Sequence, residues 1–180
     1  MRNKHTVQIA FAGVSAGITL LFIWLANVVS VMSLTFYALS AVALMLPLCK
    51  KYYVAAVFAY IAAGLLSFFI VGNIFKVLPF VIFIGPFVVT SITMSLKNVK
   101  PYMEIPVKIL FINAVLAVLY FALGVVLFSV DSYLYNLLNI KNLHYAWIAV
   151  IATMVLLFAD AIMLRIFAVM QKTMDRVIKN

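Results

Sequence analysis

The sequence has very few acidic residues and almost no cysteine. Of 180 residues, four are Asp or Glu and one is Cys. A single cysteine excludes a disulfide within the chain, and four carboxylates leave little material for metal-dependent catalysis. No glycine precedes the Lys-Ser/Thr pair of a phosphate-binding loop, and no HExxH sequence occurs. We therefore expect neither an ATPase nor another enzyme, and neither a cofactor nor a metal site.

Charged residues of both signs are scarce, and apolar residues dominate. Hydrophobic residues make up 68% of the chain and charged residues 9%, a balance foreign to soluble globular domains. The formal net charge is +9, but the cations lie in short connectors between apolar runs. Positive charge in that position sets membrane orientation, so we expect contact with membrane lipid and none with nucleic acid.

The apolar residues form six stretches, and we predict an all-α polytopic membrane protein with six transmembrane helices. The whole chain, 1–180, is expected to form a single helical bundle, organised around the first stretch. The second stretch is short, since a helix needs about 20 residues to cross a bilayer. The predicted spans are 7–31, 34–48, 52–71, 77–96, 109–130 and 145–170.

The distribution of lysine and arginine predicts the topology. With six spans and a cytoplasmic N-terminus, eleven of the 13 cations fall on the inner side, and only Lys76 and Lys141 fall outside. This asymmetry favours both termini in the cytoplasm. Without the second span every later connector would invert and the pattern would be lost. The fourth predicted span contains Gly85-Pro86, where we expect a kink.

The first stretch carries small residues at helical spacing: Ala12, Gly13, Ala16 and Gly17. Small residues four apart form a strip with little side chain, which lets another helix approach closely in lipid. We interpret this strip as a contact surface for a neighbouring helix or for a partner protein.

One acid, Asp160, lies inside a predicted span. A carboxylate at that depth is costly and normally has a cationic partner. We expect a structural ion pair with Lys108 or Arg165; a proton relay is the alternative interpretation. Asn113 in the fifth span is expected to form an interhelical hydrogen bond, or else to contact a ligand.

Polar residues gather in the three outer connections. Polar groups that converge under apolar walls are typical of small-molecule sites, although solvated loops are also polar. The candidate substrate-binding residues are Asn27, Ser33, Tyr37, Asn73, Lys76, Asp131, Tyr135, Asn136, Lys141 and His144.

These features resemble the S component of energy-coupling-factor transporters, the substrate-capturing membrane subunit of bacterial vitamin importers. The resemblance covers the length, six spans, the AxxxA strip at Ala12 and Ala16, and the outer polar cap. Residues 81–90 (VIFIGPFVVT) and 108–120 (KILFINAVLAVLY) are also similar to small membrane proteins of Gram-positive bacteria. The resemblance implies that Ala12 and Ala16 contact a transmembrane coupling subunit that works with two cytoplasmic ATPases. It also implies that a small-molecule ligand binds near the outer ends of the helices.

The leading functional hypothesis is therefore a substrate-binding subunit of a multi-subunit importer for a small organic micronutrient such as a vitamin, in the bacterial cytoplasmic membrane. The alternative is a non-catalytic membrane scaffold or accessory subunit that binds another membrane protein.

Overall fold

The described residues form helices and turns, without a strand among them. The computed structural model describes residues 4–130 and 145–179, with side chains in 5–29, 31–74, 76–118 and 149–176. Within these ranges, five helical segments are long and apolar enough to cross a membrane, and Ser33–Cys49 is a shorter apolar helix. The all-α class is confirmed, and the helices indicate a multi-pass membrane protein. The count of six spans and the cytoplasmic termini stay predictions.

Seven α-helices follow one another along the described chain. A single 3-10 turn, Ser30–Met32, joins the first two, and a π-helical segment, Pro79–Ile84, joins the fourth to the fifth. The α-helices are α1 Lys4–Val28, α2 Ser33–Cys49, α3 Tyr53–Val71, α4 Ile74–Leu78, α5 Gly85–Leu96, α6 Pro101–Val130 and α7 Tyr145–Lys179.

The chain divides into two compact units. The first comprises Met1–Val99 with Ile162–Asn180, and the second comprises Lys100–Ala161. The first unit therefore contains α1 to α5 and the C-terminal part of α7. The second contains α6 and the N-terminal part of α7.

The short helix α2 supplies side chains to both cores of the first unit. Its residues from Ser40 onward are mostly buried, among them Leu44, Met45 and Leu48 at 0% exposure. One core cluster joins α2 to α3, α5 and α7; the other joins it to α1, α3 and the π-helical segment. The sequence predicts a bundle organised around α1, but the buried centre of this unit is α2. Cys49, at the end of α2, is 3% exposed.

The fourth predicted span is one long helical stretch with an irregular middle. The π-helical segment ends at Ile84, and Gly85 and Pro86 begin α5. The π-helical segment runs directly into α5, so the amide hydrogen that Pro86 lacks is missing from a continuous helical ladder. A π-helical segment thus lies immediately before the proline, and the kink expected at Gly85-Pro86 stays a prediction.

Candidate functional site

Two of the predicted outer connections are joined by a hydrogen bond. The hydroxyl of Tyr37, near the start of α2, donates to the backbone carbonyl oxygen of Lys76 in α4. Tyr37 is half-buried and packs against the core cluster shared by α1, α2 and α3, whereas the Lys76 residue is exposed. The bond uses the backbone carbonyl of Lys76 and does not involve its side-chain ammonium group.

Asn27 lies in the last turn of α1, close in sequence to the start of α2. Its Nδ2 donates to the Ile23 carbonyl oxygen at 2.9 Å, one turn earlier in the helix. Its Oδ1 is buried and has no hydrogen-bond partner among the described residues. A buried amide oxygen without a donor is costly, so this atom is suited to accept a hydrogen bond from a ligand or from water.

The other outer candidates are distributed differently. Ser33 is half-buried at the first position of α2, and Asn73 is exposed in the turn before α4. Five candidates lie outside the described residues: Asp131, Tyr135, Asn136, Lys141 and His144. The structure therefore brings Tyr37 to the backbone of Lys76, with Asn27 and Ser33 on the flanking connection.

The small-residue strip of α1 points in two directions. Ala16 is 9% exposed and belongs to the core, and Ala12 packs against the same cluster. Gly13 and Gly17 are exposed, and a Cβ added at either would meet no atom within 4 Å. The AxxxA pair thus contacts this chain's own helices. The glycines face elsewhere, because residues one position apart on a helix differ by about 100° in direction. Only the glycine pair is open to another molecule.

Residues 13–17, GVSAG, also match the G-x-S-x-G spacing of a hydrolase nucleophile. That motif requires a sharp strand-to-helix turn that exposes the serine. Here Ser15 lies inside α1 at 0% exposure, and its hydroxyl donates to the Ala43 carbonyl oxygen of α2 at 2.8 Å. Ser15 therefore links two helices through a hydrogen bond, and the GVSAG segment does not form a nucleophile elbow.

Three charged side chains meet inside the second unit. Lys108 Nζ lies 2.5 Å from Glu104 Oε1 on its own helix and 2.5 Å from Asp160 Oδ2 on α7. The side chains of Lys108 and Asp160 are 6% and 7% exposed, and that of Glu104 is 16% exposed. Charges in such apolar surroundings are tolerated when they are paired and hydrogen-bonded. We call this group the Lys108 cluster.

Of the two cations proposed as partners of Asp160, Lys108 lies at ion-pair distance. Arg165 belongs to the first unit, is exposed, and lies within ion-pair distance of no carboxylate of the described residues. Glu104, the second partner of Lys108, is not among the residues predicted for this ion pair, although its position four residues before Lys108 places both on one helix face. Nearby in the same unit, Asn113 Nδ2 donates to Thr153 Oγ1 at 3.3 Å, an interhelical hydrogen bond between α6 and α7.

In the described part of the chain, no three His, Cys, Asp or Glu side chains converge in a way that would hold a metal ion. Comparisons with protein-family models, with curated proteins and with solved structures find no match to this chain.

Proposed function

We propose that this chain is a solute-binding membrane subunit of an importer for a small organic micronutrient, placed in the bacterial cytoplasmic membrane. The observation that supports this most is the bond between Tyr37 and the Lys76 backbone. It holds the start of α2 and the start of α4 together at the end of the bundle where the buried Asn27 Oδ1 has no hydrogen-bond partner among the described residues. Polar groups that converge at the end of an apolar bundle are typical of small-molecule sites.

The proposed binding site has a specific chemical character. Asn27 offers an acceptor, and Tyr37 is an aromatic wall whose hydroxyl is already engaged. Lys76 offers an exposed ammonium group at the same end. This set fits an amphipathic organic molecule with at least one hydrogen-bond donor.

The proposal requires an energy source outside the chain. The sequence contains no phosphate-binding loop, so transport would be driven by partner ATPases through a coupling subunit in the membrane. The resemblance implies that small residues of the first helix form that contact. Because Ala16 is buried, we assign the contact to Gly13 and Gly17, whose face is open.

The experiment replaces the open glycines by leucine and purifies the protein from native membranes. Gly13→Leu with Gly17→Leu should abolish co-purification of the coupling subunit and the ATPase pair. The variant should still carry the small molecule that wild-type protein retains, as measured by native mass spectrometry without added ligand. Val14→Leu is the matched control. Val14 is 59% exposed on the same stretch of α1, and the change from valine to leucine adds little bulk.

Ala16→Leu separates folding from docking in the same assay. This change overfills a core position and should lower stability by about 1–3 kcal/mol, whereas the glycine changes meet open space. Absence of any retained small molecule from wild-type protein would overturn the proposed binding function. Co-purification of ATPases that is unaffected by the glycine changes would overturn the assigned contact.

The open glycine face also favours a second function, a scaffold that binds another membrane protein and no solute. A close helix contact at Gly13 and Gly17 requires no ligand. Co-purification of a partner other than an ATPase assembly, together with no retained small molecule, would support this function over the first.

A further inference from the structure

A long apolar groove lies between α3 and α5 in the first unit. Its volume is about 760 Å³, and its walls include Val54, Val57, Phe58, Ile61 and Val89. Several wall residues face outward; Val54 is 66% and Phe58 63% exposed. The groove is therefore open along its side, and nothing in the first unit's described residues fills it.

One end of the groove is cationic and aromatic. Lys97, the residue that follows α5, places Nζ 5.9 Å from the centre of the Tyr53 ring at the start of α3. Both residues line the groove. An ammonium beside an aromatic ring at a helix end is a typical arrangement at the level of lipid headgroups.

The charge of Lys97 is not neutralised by any described carboxylate. The described acids are Glu104 and Asp160, which pair with Lys108, and Asp175, which pairs with Lys50 at 2.9 Å. Lys97 itself is exposed and makes no ion pair with these acids. An anion could therefore bind there without displacing a partner within the described structure.

The length of the groove matches one leaflet of a bilayer. From Tyr53 to Ile61 a helix advances about 12 Å, and from Val89 to Lys97 it advances the same distance. The hydrocarbon core of a bilayer is about 30 Å thick, so each leaflet contributes about 15 Å. With Lys97 at headgroup level, the apolar walls extend through most of one leaflet's acyl region.

We propose that this groove binds one anionic phospholipid, with an acyl chain between α3 and α5 and its phosphate at Lys97 beside Tyr53. The open side admits a lipid directly from the bilayer. Lys97, which no described carboxylate neutralises, distinguishes this position from the general apolar surface, which any lipid covers. Basic sites between transmembrane helices recognise anionic headgroups in this way. This site is separate from the proposed solute site at the start of α2.

The test uses purified protein in mild detergent with equimolar phosphatidylglycerol and phosphatidylcholine, and native mass spectrometry to count the bound lipids. Wild-type protein should retain one phosphatidylglycerol in preference to phosphatidylcholine. Lys97→Gln should weaken phosphatidylglycerol binding about fivefold, since one lysine near an anionic headgroup contributes about 1 kcal/mol. Lys172→Gln removes the same charge at an exposed position outside the groove and should leave retention unchanged.

A second variant tests the groove itself. Thr90 is an exposed groove residue, and Thr90→Phe should fill the acyl position and lower retention of phosphatidylglycerol without lowering the melting temperature. Equal retention of the two lipids by wild-type protein would overturn the proposal. So would equal effects of Lys97→Gln and Lys172→Gln, lipid retention by Thr90→Phe, or a dimer of the chain in place of lipid adducts.

Discussion

The hydroxyl of Tyr60 on α3 donates a hydrogen bond of 2.7 Å to the backbone carbonyl oxygen of Val81 in the π-helical segment. This carbonyl has lost both of its possible partners in the helix. The amide of Gly85, four residues on, donates instead to Phe80, and Pro86, five residues on, has no amide hydrogen. In lipid an unsatisfied backbone group is expensive, and a neighbouring helix here supplies the missing donor.

Removal of the Tyr60 hydroxyl should therefore destabilise the first unit. We expect Tyr60→Phe to lower the free energy of unfolding by about 1 kcal/mol, the usual size of such bonds between membrane helices. Thermal unfolding in detergent measures the loss. Tyr102→Phe is the control, because Tyr102 is 66% exposed. Equal melting temperatures for Tyr60→Phe and wild-type protein would contradict the role assigned to this bond.

Gly85 is required by the same contact. A Cβ at Gly85 would overlap the ring of Tyr60, so Gly85→Ala should be destabilising. In a Tyr60→Ala background the ring is gone, and Gly85→Ala should then cost much less. A double-mutant cycle on the free energy of unfolding measures this coupling, and strictly additive losses would refute the predicted overlap.

The Lys108 cluster should respond unequally to the loss of each member. Lys108→Met removes the Lys108 ammonium from the buried Asp160 and from the half-buried Glu104, and should cost about 3–5 kcal/mol of stability. Asp160→Asn should cost less, because Lys108 keeps Glu104 as its partner. Unfolding in detergent or bicelles compares the two variants.

Lys50→Met provides the matched control for that comparison. Lys50 forms a single ion pair among the described residues, and its partner Asp175 is 56% exposed, so the loss of this pair should change stability by no more than about 1 kcal/mol. If Lys108→Met were as mild as Lys50→Met, the cluster would not be holding α6 and α7 together. A variant with all three cluster charges removed should regain much of the stability lost in Lys108→Met.

Hydropathy and charge predicted the helices well, and their ends less well. Each of the six predicted stretches overlaps a helix of the structure, and α3 matches its predicted range of 52–71 within one residue. The helix α6 begins at Pro101, eight residues before the predicted start at 109. The apolar run begins late there, whereas proline at the first position and Glu104 in the first turn are local signals for a helix start.

Which face of each helix is buried could not be read from the sequence. In lipid the exposed face is as apolar as the buried one, so the helices have no polar stripe to mark the outside. Ala16 and Gly17 are adjacent and similar in character, yet one is in the core and the other is exposed. For the same reason the sequence does not show that Lys97 and Tyr53 line a common groove.

The bond between Tyr37 and the Lys76 backbone bears on whether α2 crosses the membrane. The bond fixes the start of α2 at the same end as the start of α4, and α3 runs between the other end and this one. If α3 crosses the bilayer, α2 must cross as well, although its 17 residues span only about 25 Å.

We therefore expect Val31→Cys to react with an impermeant maleimide in intact cells, and Lys51→Cys to react only after permeabilisation. Both positions are exposed, Val31 at 95%, and the wild-type chain is the blank because Cys49 is buried. If both variants were labelled from one side, α2 would not cross, and a crossing α3 would place Tyr37 and Lys76 on opposite membrane faces, which their hydrogen bond forbids. That result would contradict both the six-span topology and the proposed outer site.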